Sequence, residues 1–371
     1  MIPIYIPYIN KYTESAINAI KTNWISNYGI YVKNAEEKMK ELLNVKYCIL
    51  MNNGTSATHC LFISLKYKYP NINKIYVPNN VFVAPWNCAL MEYDKTNIEV
   101  MKIDNETLNI CTDEEYIKTL EKNSCVLIVH NLGNIVNVPR LKEIRPDLIF
   151  IEDNCEGVFG KYNNVYSGTS ESCLCSAISF YANKTITTGE GGAFFTNDYE
   201  VYNYIKSSYS HGMTDERYIH DKIAYNYRMT NVQAGFLYDQ LNDIQHILKL
   251  KQIVFNNYDK LFSSLIEEKK IIKIKSEENT CSATWMYCII ISNLEYKKLE
   301  KFMDEKLIQI RPLFYDIRKH RHLEDIKVNY EECSKINNGL MLPSYPELEI
   351  EKQEYISNCI KEYIHLHSFS G

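Results

Sequence analysis

Short apolar runs alternate with amphipathic stretches over the first half of the chain. Lys46–Met51 (KYCILM), Lys74–Val77, Ile98–Ile103, Ser124–His130 (SCVLIVH) and Leu148–Glu152 (LIFIE) each carry the compact apolar block of a buried strand. Ser56–Leu65, Val83–Met91 and Asp113–Glu121 have helical character and fall between them. This alternation predicts βαβ units and a mostly parallel sheet covered by helices, an α/β fold. Ser176–Phe180 (SAISF) and Ala193–Thr196 (AFFT) add two strands around the tight turn Gly189–Gly192 (GEGG). Ligands of such sheets sit at the carboxyl ends of the strands, so chemistry is expected in the residues that follow each strand.

From about Thr230 the pattern changes. One long helical stretch from Thr230 to about Ser264 is followed by short strands at Ile271–Ile274 and Trp285–Ile291. A helix at Leu294–Glu305, a strand near Ile308–Arg311 and a helix from Glu351 to about His365 complete the chain. This predicts a large domain over residues 1–240 and a smaller α+β domain over 241–371. The 371 residues are 46% hydrophobic, ample for a large core, and the net charge of -5 gives no basic footprint for nucleic acid. No apolar run reaches the ~20 residues that span a bilayer. The opening MIPIYIPYINKY lacks the charged and apolar regions of a signal peptide. A soluble cytoplasmic protein with no nucleic-acid or membrane partner is therefore expected. Twelve cysteines without CxxC spacing predict free thiols and no metal site.

Three strand ends carry candidate chemistry. After the first strand, Gly54-Thr55-Ser56 opens a helix, whose unpaired N–H groups and partial positive charge suit a phosphate. The alternative is that Thr55 or Ser56 simply caps the helix. Asp153 follows LIFIE, where a buried carboxylate is costly unless it is paired; a cap or a structural salt bridge is the alternative. Lys184 lies in SFYANKTITTGEGG (Ser179–Gly192), between a strand and the GEGG turn. It points either to solvent or into a site at the sheet edge. Together, a phosphate cradle, a strand-end carboxylate and a hemmed-in lysine fit pyridoxal 5'-phosphate, which needs a Schiff-base amine and a carboxylate partner for its ring nitrogen.

With these residues in view, the sequence resembles the DegT-type sugar aminotransferases, a fold-type I pyridoxal-phosphate family. NWISNYG (Asn23–Gly29), NNGTSATHC, EDNCEGVFG, SFYANKTITTGEGG and AYNYRMTNVQAG (Ala224–Gly235) stand in family order. The two longest, with GMTDERYIH (Gly212–His220), look closest to the perosamine and viosamine synthases. The resemblance implies a seven-stranded-type large-domain sheet and the following roles. Lys184 is the Schiff-base lysine, and Asp153 holds the pyridinium nitrogen. Glu156 lies beside the ring 3-hydroxyl. Gly54, Thr55, Ser56 and Ser179 hold the phosphate, and Phe82 stacks on the ring. Asn226 reaches the phosphate from the partner subunit of a homodimer with shared sites. Tyr218, His220, Arg311 and Tyr315 contact sugar or nucleotide.

The reaction so implied carries an amino group from L-glutamate, by way of pyridoxamine 5'-phosphate, to a nucleotide-linked 4-keto-6-deoxyhexose. A histidine at the lysine position would mark a sugar 3-dehydratase of the same fold, and Lys184 stands there instead. A non-catalytic regulator would have lost cofactor residues that are present. A 3-keto sugar or cyclitol aminotransferase is the remaining alternative. Asn131, Leu132 and Arg318 depart from the family pattern, in loops expected to border the sugar or nucleotide.

Overall fold

A computed structural model describes residues 1–292, 294–331 and 333–367. The main sheet has seven strands. In chain order they are β1 (Tyr47–Met51), β2 (Ile75–Pro78), β3 (Ile98–Met101), β4 (Cys125–Val129), β5 (Ile149–Asp153), β6 (Ser176–Ser179) and β7 (Gly192–Thr196). Their spatial order is β1-β7-β6-β5-β4-β2-β3. Four of the six pairings are parallel as expected, and β7 runs antiparallel to both β1 and β6. All five residues of β4 are buried, as expected for a strand covered on both faces.

The helix Gly54–Lys68 packs across the sheet with Ala57, Cys60, Leu61, Phe62 and Leu65 all fully buried. That helix is apolar nearly all round because sheet, neighbouring helices and the C-terminal segment enclose it. Ile317, Leu323 and Ile326 return from late in the chain to this same core.

The expected long helix from Thr230 is instead broken. Asn231–Asn242 and Ile244–Leu261 are separate helices, and Asp243 between them adopts φ -121°, ψ 24°. The Asp243 carboxylate accepts a hydrogen bond from the Tyr12 hydroxyl at 2.9 Å. Asn and Asp side chains favour such breaks because they compete with the helix backbone for partners. Thr230 and Gln233 form a reciprocal capping box at the first helix.

A second, antiparallel sheet orders Ile271–Ile272, Tyr287–Ile291, Gly339–Leu342 and Arg311–Pro312. Gly339–Leu342 has no counterpart among the strands expected from the sequence. Residues near the chain start join this layer: Ile2 bridges Ile308 in parallel, and the Ile4 N–H donates to Gln309 Oε1 at 2.9 Å. Among the described residues, no helix is long and apolar enough to cross a membrane.

The helix Glu14–Lys21 lies against Asn231–Asn242 so closely that a Cβ at Gly235 would fall 2.6 Å from the Ala16 backbone nitrogen. Gly235→Ala must push the two helices apart. The expected cost is about 1–3 kcal/mol, read as a lower urea midpoint with an unchanged slope.

Candidate active site

The carboxyl ends of β4, β5 and β6 lie side by side, with Val129 opposite Asp153 and Asp153 opposite Ala177. Asp153, the last residue of β5, is buried. Its carboxylate accepts hydrogen bonds from Thr58 Oγ1 at 3.1 Å and from the Cys155 N–H at 3.0 Å. These donors compensate part of the desolvation of a buried carboxylate. Its sequence neighbour Glu152 points to the other side of the sheet. There it accepts from His130 Nε2 (2.7 Å), Tyr162 Oη (3.1 Å) and the Gly168 N–H (2.8 Å). His130 Nδ1 accepts from the Val136 N–H, so the ring proton sits on Nε2.

Lys184 is buried, in the turn between β6 and β7. Its N–H donates to the Tyr181 carbonyl at 2.8 Å, and its own carbonyl accepts from the Tyr5 hydroxyl at 3.1 Å. Lys184 Nζ lies 3.8 Å from Glu156 Oε1 and 3.9 Å from the centroid of the Trp285 ring. A desolvated ammonium over an indole gains about 2 kcal/mol, so the ring is a substantial part of the lysine's surroundings. Trp285 Nε1 donates to the Asn183 carbonyl at 3.0 Å, which fixes the ring against the same turn.

Glu156 completes the cluster. Its Oε2 accepts from the Leu132 N–H at 2.8 Å. Burial pushes its carboxyl up to about 7; Lys184 and the Leu132 N–H offset this in part, and Asp153 adds to it. Leu132 donates from a left-handed conformation, φ 58°, which costs a non-glycine residue about 1 kcal/mol. The preceding Asn131 anchors that turn by donating to the Asn80 and Leu108 carbonyls at 3.2 and 3.0 Å. The two departures from the family pattern in this loop thus place a donor on Glu156.

Gly54 opens the helix after β1. A Cβ there would lie 2.7 Å from Ser179 Cβ, so only glycine lets the helix start approach the end of β6. Neither Thr55 nor Ser56 is the cap. Asn53 is the N-cap, its Oδ1 accepting from the Ser56 N–H at 2.8 Å. Thr55 is exposed, and Ser56 is buried in the first turn beside Ser179's strand end. Phe82 is 56% exposed and meets Phe314 edge-to-face at 6.0 Å, and Phe314 stacks on Trp285 at 6.4 Å. An aromatic row therefore runs from Phe82 to the Lys184 amine.

The other expected site residues make their contacts outside this cluster. Asn226 is exposed and accepts from Arg228 Nε at 2.9 Å, while Tyr225 and Tyr227 on either side turn inward and stack at 4.8 Å. His220 Nδ1 donates to the His211 carbonyl at 2.9 Å. Tyr218 is 70% exposed beneath the Arg217 guanidinium. Arg311 is exposed on its short strand, and Tyr315 lies near Tyr296 and Lys297. Arg318, the third departure, is held on Asp316 by two hydrogen bonds of 2.7 Å. Among the described residues, no group of three or more His, Cys, Asp or Glu is arranged to hold a metal ion. Sequence reasoning missed Tyr5, Thr58, Trp285 and Phe314. Trp285 alone left a trace, as a rare aromatic at the start of an expected strand.

Residues 8–361 match the model of the DegT/DnrJ/EryC1/StrS aminotransferase family. The chain is 30% identical over 377 residues to a GDP-perosamine synthase of Escherichia coli O157:H7, covering 98% of each chain. It is 29% identical to that of Vibrio cholerae, covering 98% of this chain and 99% of the relative. Two solved structures share the fold. Helicobacter pylori PseC, an aminotransferase involved in the biosynthesis of pseudoaminic acid, superposes with a TM-score of 0.86 at 21% identity, covering 98% of this chain and 99% of that one. Escherichia coli GDP-4-keto-6-deoxy-D-mannose-3-dehydratase with bound hydrated PLP gives 0.86 at 20%, covering 97% and 99%. A strand-end carboxylate, a glycine-opened helix start and a buried lysine thus stand in a chain that belongs to the DegT/DnrJ/EryC1/StrS aminotransferase family of pyridoxal-phosphate enzymes.

Proposed function

We propose that this enzyme transfers the amino group of L-glutamate to C4 of a nucleotide-linked 4-keto-6-deoxyhexose, giving the 4-amino-4,6-dideoxy sugar. The observation that carries the reading is the buried Lys184 amine, set between the Glu156 carboxylate and the Trp285 ring. The sugar class is supported by the perosamine synthases among the relatives.

The residues present fit pyridoxal 5'-phosphate. The close approach of Gly54 to Ser179 brings a helix N-terminus to the end of β6, where Gly54, Thr55, Ser56 and Ser179 would hold a phosphate. Asp153 would hold the ring nitrogen, Glu156 the 3-hydroxyl side, and Phe82 a ring face. When bound, the cofactor supplies an aldehyde and an electron-withdrawing ring.

The chain's own groups do the rest. Lys184 Nζ is the amine that would hold the cofactor and, when freed by the donor, the base that would take the proton from the donor's α-carbon and hand it on. Asp153, which accepts hydrogen bonds from Thr58 Oγ1 and the Cys155 N–H, would pair with the ring nitrogen. The aromatic row screens the amine from water. For the keto sugar, Lys184 would serve the same proton transfers in reverse order. Asn226 would complete the phosphate site from a second copy in a homodimer. Exposed Trp24 (61%), Tyr28 (73%) and Ile223 (99%) support such an interface. Tyr218, His220, Arg311 and Tyr315 are the proposed sugar or nucleotide contacts.

Purified protein loaded with pyridoxal phosphate should lose its visible absorption band when L-glutamate is added. It should regain the band with one of the GDP-, dTDP- or UDP-linked 4-keto-6-deoxyhexoses. NMR of the product should place the new amine at C4; amination of a 3-keto isomer alone would refute the assignment. Lys184→Ala should bring turnover below detection, and a variant with near-normal turnover would exclude Lys184 as the reacting amine. Gly54→Ala, which drives a methyl group into Ser179, should weaken cofactor binding on the order of tenfold in a fluorescence titration.

Glu156→Gln tests the buried cluster without cofactor. The Glu156 carboxyl pKa is raised to about 7, so the folded protein binds this proton more tightly than the unfolded chain. Its contribution to stability is therefore present below the ordinary carboxylate pKa and lost as pH rises toward about 7. Glutamine keeps an acceptor for the Leu132 N–H and has no such loss. Relative to the parent, Glu156→Gln should gain about 1–3 kcal/mol between pH 5 and pH 8 in urea unfolding, flattening above neutrality.

A further inference from the structure

Lys251 has no part in the chemistry above, yet its side chain is completely buried. It projects from the helix Ile244–Leu261 and donates to the carbonyls of Trp285, at 2.7 Å, and Ser344. The ammonium also lies 5.2 Å from the Tyr5 ring centroid and 5.5 Å from that of Phe255. Its partners are carbonyls and ring faces rather than a carboxylate, and burial pulls its pKa down to about 7. An amine held in this way costs more than a methionine of similar volume would.

Two of these neighbours, Trp285 and Tyr5, lead to Lys184. Trp285 holds the Asn183 carbonyl through its indole N–H and presents its ring to the Lys184 amine. Tyr5 holds the Lys184 carbonyl through its hydroxyl. The second carbonyl on Lys251 is itself fixed, because Ser344 Oγ accepts from the Tyr287 N–H at 3.1 Å, two residues beyond Trp285. Residues far apart in the chain thus converge on one ammonium, and from it two tethers reach the backbone on either side of the Lys184 side chain.

We propose that Lys251 is a positioning residue: by clasping the Trp285 and Ser344 carbonyls beneath Tyr5, it sets where the Lys184 amine stands relative to Glu156. This rests on Lys184 being the reacting amine.

Lys251→Met preserves volume and removes the donors. With 5-fluorotryptophan in place of the three tryptophans, the Trp285 resonance is identified by its loss in Trp285→Phe. In cofactor-free protein, Lys251→Met should move that resonance and leave those of Trp24 and Trp86 in place. After loading with pyridoxal phosphate, the pH midpoint of the visible band should differ from the parent's. Turnover should fall on the order of tenfold to a hundredfold with KM for L-glutamate unchanged, and Lys251→Arg should recover part of the loss. A folded Lys251→Met protein with parental midpoint and turnover overturns the proposal, whether or not the Trp285 resonance moves, since Lys251 is then only a structural tie. Should Lys251→Met not fold, Tyr5→Phe and Trp285→Phe carry the test. A parental midpoint in both means that nothing reaches Lys184 along this route. Turnover surviving in Lys184→Ala would instead remove the reading on which the proposal rests.

Discussion

One amine and two carboxylates share a buried volume at the carboxyl edge of the sheet. Asp153 and Glu156 would repel each other as anions, and Lys184 would be strongly disfavoured as an isolated buried cation. Each is made tolerable by a different kind of partner: a hydroxyl and a backbone N–H for Asp153, a backbone N–H for Glu156, an indole face for Lys184. The parallel strands fix Asp153 through neighbouring registers, while Glu156 and Lys184 both hang on turns.

The loop after β4 shows how backbone cost is compensated. Leu132 occupies a left-handed conformation that glycine would adopt freely, and Asn131 secures it with two side-chain donations to backbone carbonyls. Beneath it, His130 ties the loop to Glu152 and so to β5. Adjacent carboxylates of one strand therefore serve opposite sides of the sheet: Glu152 holds the loop, and Asp153 faces Thr58 and Glu156. Because strand side chains alternate, neither can be moved without the other changing face.

The strands were legible because both faces of the sheet are covered, so each appears as an unbroken apolar block. Lys184, Asp153 and Gly54 drew notice because they follow those blocks, and the structure buries all three. The contacts that complete the site were not. Tyr5 and Lys184 are 179 residues apart, and Trp285 and Asn183 are 102 apart. No local periodicity records such pairings. Gly339–Leu342 was missed because its apolar block is only Leu340–Leu342, set between Gly339 and Pro343, although it is central in its sheet. The break at Asp243 depends on a distant tyrosine hydroxyl, and hydrophobic spacing on either side continues as though one helix were present.

The tethers of the Lys184 turn have a consequence for biosynthesis. Tyr5 is among the earliest of these residues to leave the ribosome, yet its acceptor is made far later, and Lys251, Trp285 and Ser344 later still. The sheet and the lysine can both exist on a nascent chain while the amine is still unplaced. Loops closing over such long sequence separations form slowly. A chain stalled before Ser344 would carry Lys184, Asp153 and Glu156 and still lack one of the two carbonyls that Lys251 clasps.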